Sequence, residues 1–210
     1  MSPRKAAALR DGGDRTLREH LVAAAARLIA RHGTAGLTVR AIAREAEVAD
    51  GVLYNHFTDK EELLALALHS HVETVMSSAP PPPSAGEGTV EENLRAHTTR
   101  SLGVLIAILP AFAGVFSQPK VLAGFTALPI PGEAPLHSAL ARYLRDEQRL
   151  GRVNPAANVD AAVAMVLGAC HELVLPHVFY GSPATELTVP PGFVDQLVTT
   201  LVHGIAPAAN

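Results

Sequence analysis

Around residue 170, Cys170, His171 and Glu172 are consecutive and His177 follows. Such side chains could ligate a metal or move protons, but their spacing argues against both. Two imidazoles share one zinc from a helix when they stand four apart, as in H-E-x-x-H. Here they stand six apart with Pro176 between them, so they fall on different faces. His69 and His71 splay apart for the same reason, and the adjacent Cys170 and His171 do not face each other. No nucleophile elbow, P-loop or dinucleotide-binding glycine pattern occurs. The chain therefore reads as a non-enzyme with no metal site and no cofactor. The chemistry that remains is contact with nucleic acid, and the residues that could make it lie between Thr38 and Lys60.

That stretch, TVRAIAREAEVADGVLYNHFTDK, requires two short helices and a tight turn. Val39, Ile42 and Ala43 recur at helical spacing behind Thr38, which stands at the N-cap position. The period breaks over residues 47–50, with Val48 as the apolar plug of the turn. Val52, Leu53 and Phe57 then resume an apolar face. Packing that face leaves Asp50, Gly51, Tyr54 and Asn55 directed outward. Thr58 to Glu61 matches a capping box and opens a third helix. Two short helices whose second presents an open face describe a helix-turn-helix reader of the major groove.

The segment resembles the DNA-binding domain of the TetR family of transcriptional regulators. The residues that carry the resemblance are Gly33, Leu37-Thr38, Arg40, Ile42-Ala43, Glu45-Ala46, Val48, Gly51, Leu53-Tyr54, His56-Phe57 and Lys60-Glu61-Glu62-Leu63. Two positions depart from the pattern: Glu47 stands where the turn usually carries Gly, and Ala49 where Ser or Thr often caps the reading helix. By this resemblance Thr38, Tyr54, His56 and Lys60 fall on positions that hold the phosphate backbone. Arg40 falls where a guanidinium fork reaches guanine O6 and N7. Asp50, Gly51, Val52 and Asn55 fall on or beside base-facing positions. A carboxylate repels DNA unless it accepts from cytosine N4, so Asp50 is expected to be either a helix cap or a cytosine reader.

The rest of the chain fits a reading head joined to something larger. The chain has 210 residues, 48% of them apolar, with a formal charge of −3. Residues 1–60 hold ten Lys/Arg against seven Asp/Glu, and the remainder seven against thirteen, so the basic charge is concentrated at the N-terminus. Residues 1–14 read as a flexible basic arm without a secretory h-region. The single cysteine allows no intrachain disulfide, which fits a cytoplasmic location. The uncharged apolar run 102–116 is shorter than the roughly 20 residues a spanning helix needs, so no membrane segment is expected.

No stretch shows strand alternation, so the expected fold is all-α. A three-helix DNA-binding domain occupies 15–60, its first helix starting near Thr16 with a Thr16–Glu19 capping box. A ligand-binding and dimerisation bundle occupies 61–210. Helices are expected to about Ser78, from Thr89 to Pro110, in short pieces at 111–118 and 120–127, and over 133–150, 158–179 and 193–204. A Pro/Gly loop at 79–88 interrupts them. Polar groups scattered among apolar residues suggest a pocket for a small hydrophobic ligand, with His97, Ser101, Phe112, Phe116, Phe125, Tyr143, Met165, His171 and Glu172 as candidates. His171 and Glu172 interrupt a very apolar helix and need partners, either a ligand or a neighbouring chain.

The resulting expectation is a homodimeric transcriptional regulator, most often a repressor in families of this look. It would join through helices 158–179 and 193–204 on a pseudo-palindromic double-stranded DNA operator and answer to a small hydrophobic effector. The alternatives are the same fold controlled by a protein partner or by no effector, and a small-molecule-binding helical protein whose helix-turn-helix is incidental.

Overall fold

The computed structural model describes residues 13–129, 135–180 and 187–205. Every regular element among them is helical. The basic arm falls almost wholly outside the described residues, as do most of the Pro-rich bridge near 131, the loop after Gly181 and the C-terminal tail.

The chain divides after Val75, after Leu109 and after Pro131 into two compact units. The first contains α1 (Gly13–His32), α2 (Val39–Glu45), a 3-10 segment Asp50–Asn55 and most of α3 (Lys60–Ser78). It also takes in the stretch from Pro110, with 3-10 turns at Leu109–Phe112 and Val115–Ser117 and helix α5 (Pro119–Thr126). The first unit is thus wider than residues 15–60. Apolar periodicity accounts for its core: Leu21, Ala24 and Leu28 of α1 pack with Ile42 and Ala43 of α2 and with Leu64 and Leu68 of α3. Val115 and Val121 complete the same cluster, which is why this later stretch belongs here.

Local signals placed some helix ends and misplaced others. Gly33, at φ +69°, stops α1 as expected, in a left-handed conformation open to glycine. α1 begins at Gly13, three residues before Thr16, so a Thr16–Glu19 box does not start it. The Thr58–Glu61 capping box is corrected by one residue. Asp59 Oδ1 accepts from the Glu62 amide at 2.8 Å, and Glu62 Oε2 accepts from the Thr58 amide at 2.8 Å. A carboxylate cap one residue later leaves α3 starting at Lys60.

The second unit contains α4 (Val90–Ile108), α6 (Leu136–Arg149), α7 (Val159–Tyr180) and α8 (Phe193–His203). Thr89 caps α4 with a complete box: its hydroxyl accepts from the Glu92 amide, and Glu92 accepts from the Thr89 amide. Leu94, Leu140, Leu144, Val163, Val166 and Val198 form one core cluster; Leu102, Leu105, Cys170 and Val174 form another. By length and hydropathy, Val90–Ser117 and Val159–Phe179 are apolar enough to cross a membrane, although both helices contribute buried residues to these cores.

The Pro/Gly loop before α4 owes its shape to side chains from the helices around it. Arg100 Nε donates to Pro80 O (2.8 Å), Asn93 Nδ2 to Glu87 O (2.8 Å), and an Arg152 terminal nitrogen to Gly88 O (2.7 Å). The Gly86 amide donates to Glu147 Oε1 at 3.3 Å. Proline removes backbone donors, so the loop's exposed carbonyls are taken up by these side chains instead.

Candidate nucleic-acid interface

The reading segment is anchored from below and open above. Leu53 and Phe57 are buried in the first unit's core, and Val52 packs partly against it. On the other side Asp50, Gly51, Tyr54 and Asn55 are exposed, with Tyr54 65% accessible. The second short helix takes the tighter 3-10 form over Asp50–Asn55. Its first residue follows Ala49, which supplies no side-chain cap. The turn before it bends through Glu47 at φ +57°, a left-handed conformation in a residue with a side chain. Glu47 therefore adopts, with strain, the backbone that glycine adopts freely.

Thr38 caps α2: its hydroxyl accepts from the Ala41 amide at 3.1 Å. Lys60 Nζ donates to Leu37 O at 3.3 Å, holding the ammonium at the start of α3 and close to Thr38 in the chain. His56 ends the 3-10 segment and is half-buried, and its amide donates to Leu53 O. Arg40 and Asp50 form an ion pair, Nε to Oδ2, at 3.3 Å. Asp50 is therefore not the helix cap; its carboxylate faces Arg40 rather than a backbone amide.

Several braces that the sequence left unassigned hold this surface in place. The Arg18 guanidinium lies 4.8 Å from the Phe57 ring centroid and pairs with Glu62 at 2.7 Å. Arg27 and Arg31 both bind Glu45, at 2.9 and 2.6 Å. These two arginines tie α1 to α2. Hydrogen bonds from Arg27 and Arg31 hold the Glu45 carboxyl below its usual pKa. For Glu62 the Thr58 amide is the main cause of the same downward shift. Helical spacing alone would have paired Glu62 with a residue on its own helix; only packing brings Arg18 to it, 44 positions away.

The residues proposed to line a ligand pocket are divided between the two units. Phe112 and Phe125 meet edge to face, centroids 5.2 Å apart, in the first unit. Phe116, also of that unit, is 70% exposed. His97 and Tyr143 lie in the second unit with ring centroids 4.5 Å apart, both buried, and Ser101 is buried one turn along α4 from His97. Met165 is 61% exposed and Glu172 also faces outward. His171 satisfies one nitrogen within its own helix, at 2.6 Å from Leu167 O, so its polarity does not by itself require a ligand. Composition does not tell which face of a helix turns inward, so the candidates include both buried and exposed side chains. Burial pushes the Tyr143 phenol up to about 12 and lowers the His97 pKa, which keeps both neutral at pH 7. An open groove on the second unit is lined instead by charged residues, among them Arg142, Arg145, Asp146 and Arg149.

Residues 21–67 match the model of the bacterial regulatory proteins of the tetR family. The HTH-type transcriptional regulator HbdR of Aromatoleum sp. (strain CIB) is 35% identical over 63 residues, 30% of this chain and 28% of that protein. The chain thus matches less than a third of that relative's length. Among solved structures, FadR from Bacillus subtilis in complex with stearoyl-CoA is similar with a TM-score of 0.54 and 20% identity, over 90% of this chain and 99% of that one. A TetR family transcriptional regulator from Pseudomonas syringae pv. tomato is similar with a TM-score of 0.62 and 18% identity, over 89% and 95%. At these identities the structural likeness establishes the fold and nothing finer.

Proposed function

We propose that this chain, whose residues 21–67 match the tetR family model, is a homodimeric, sequence-specific DNA-binding repressor released by a small hydrophobic effector. The observation that carries the DNA reading is the outward face of residues 50–55 on the buried Leu53 and Phe57 anchor. Thr38, Tyr54, His56 and Lys60 hold phosphates, and Arg40 reads a base edge, with Gly51, Val52 and Asn55 beside it. The first unit does this work; effector binding and dimerisation belong to the second. The relatives are transcriptional regulators, a class that does no catalysis, and the site of action is the cytoplasm, where the chromosome lies.

Two further observations support the assembly and the effector. On α7, Ala161, Ala164, Met165 and Gly168 are exposed at helical spacing, and Val202 on α8 is 43% exposed. Small residues on α7, beside an exposed valine on α8, let two copies close into a four-helix joint. Such a dimer would present two reading segments to half-sites about 34–36 Å apart, or a multiple of that. FadR, a neighbour in fold, was crystallised with stearoyl-CoA, which makes long-chain acyl compounds the first effector class to test. A coupling of about 1–3 kcal/mol between effector and operator would suffice.

The experiment is a gel shift on the DNA upstream of the gene, with and without acyl-CoA. Tyr54→Ala should keep its helical spectrum and lose binding by roughly 5–20-fold, the loss of one phosphate anchor. Undiminished binding would refute this contact assignment, and no shift of wild-type protein on any operator candidate would refute the DNA reading.

A further inference from the structure

Arg40 and Asp50 come from different elements, ten residues apart, and meet at the leading end of the reading segment. Asp50 Oδ2 takes the Nε hydrogen of Arg40 at 3.3 Å. That bond engages the side edge of the guanidinium and leaves its two terminal nitrogens outside the pair. The Arg40 side chain remains 86% exposed although it is paired. Beside Asp50, Gly51 adds no side chain, and nothing lies within 4 Å of where its Cβ would be.

A free arginine samples many rotamers and settles on any nearby phosphate. One held at Nε by a carboxylate has given up part of that freedom before DNA arrives. Its terminal fork matches the O6 and N7 acceptors of guanine. The carboxylate meanwhile repels phosphate at every sequence, so this end of the segment gains only where the fork finds its acceptor pair.

We propose that Asp50 is a positioning residue for Arg40: it holds the guanidinium at Nε, aims the end-on fork at one guanine in each half-site, and discourages that arginine from resting on phosphate elsewhere. The inference rests on the DNA-binding reading above. It replaces a cytosine contact by Asp50 itself.

The test is selection of bound duplexes from a random pool at one fixed salt concentration. Wild type, Arg40→Ala, Asp50→Ala and Asp50→Asn are compared, their unfolding midpoints being equal. In wild type, one guanine position per half-site is selected, and it vanishes in Arg40→Ala. In Asp50→Ala that position alone should lose roughly 2–5-fold in discrimination, while affinity for unrelated duplex rises by a similar factor, the scale of an exposed ion pair. Asp50→Asn keeps an acceptor oxygen and should retain part of the preference. An unchanged guanine preference in Asp50→Ala, equal weakening at every position, or a selected cytosine lost with Asp50 overturns the proposal while leaving the DNA reading intact. Failure of wild type to enrich any sequence overturns both.

Discussion

Removing Arg152 should destabilise the second unit more than any ordinary surface substitution. The Glu147 side chain is fully buried, and its Oε2 lies 3.2 Å from Arg152 Nε, whose own side chain is 29% exposed. The Gly86 amide also donates to this carboxylate, at 3.3 Å from Oε1, and the Tyr143 phenol lies beside it. Arg152→Ala therefore strands a carboxylate inside the protein. It also releases the carbonyls of Glu87 and Gly88, which Arg152 holds at 3.3 and 2.7 Å. Breaking a buried pair from one side costs about 3–5 kcal/mol; the partial exposure of Arg152 places this pair at the lower end, about 3 kcal/mol. In a chain of this length that lowers the midpoint of thermal unfolding by roughly 6–12 °C, if the unit unfolds cooperatively. The assay is thermal and urea unfolding followed by circular dichroism. The paired variant Glu147→Met with Arg152→Leu removes both charges and should recover most of the loss. A loss below about 1 kcal/mol in Arg152→Ala, or a double variant no better than the single one, would refute the reasoning.

Three other outcomes follow from the same geometry. Glu47→Gly should raise the stability of the first unit by about 0.5–1 kcal/mol, because glycine relieves the positive φ at a smaller entropic cost; urea midpoints measure it. Gly114→Ala should lower it by about 1–3 kcal/mol, since a Cβ there would lie 2.5 Å from the Ala35 amide nitrogen, and backbone has to move; the same midpoints decide. His97 has a pKa lowered by burial, so between that pKa and its ordinary 6.5 the unfolded chain binds more protons than the folded one. Stability should accordingly fall as pH drops below about 6.5, and His97→Phe should flatten that part of the stability-versus-pH curve.

The sequence by itself determined the reading head. Apolar spacing over Val39–Ala43 and Val52–Phe57, a cap at Thr38 and a stop at Gly33 are local signals, legible because helix period and capping depend on neighbours a few residues away. It also determined that the chain is helical and where α4, α6, α7 and α8 run to within a few residues. Tertiary structure alone decided that residues from Pro110 belong with the first unit and that Asp50 meets Arg40 instead of capping its own helix. It also set Arg18 against Phe57 and Glu62. Which face of a helix turns inward, and what it meets there, depends on residues tens of positions away, and neither composition nor period carries that distance.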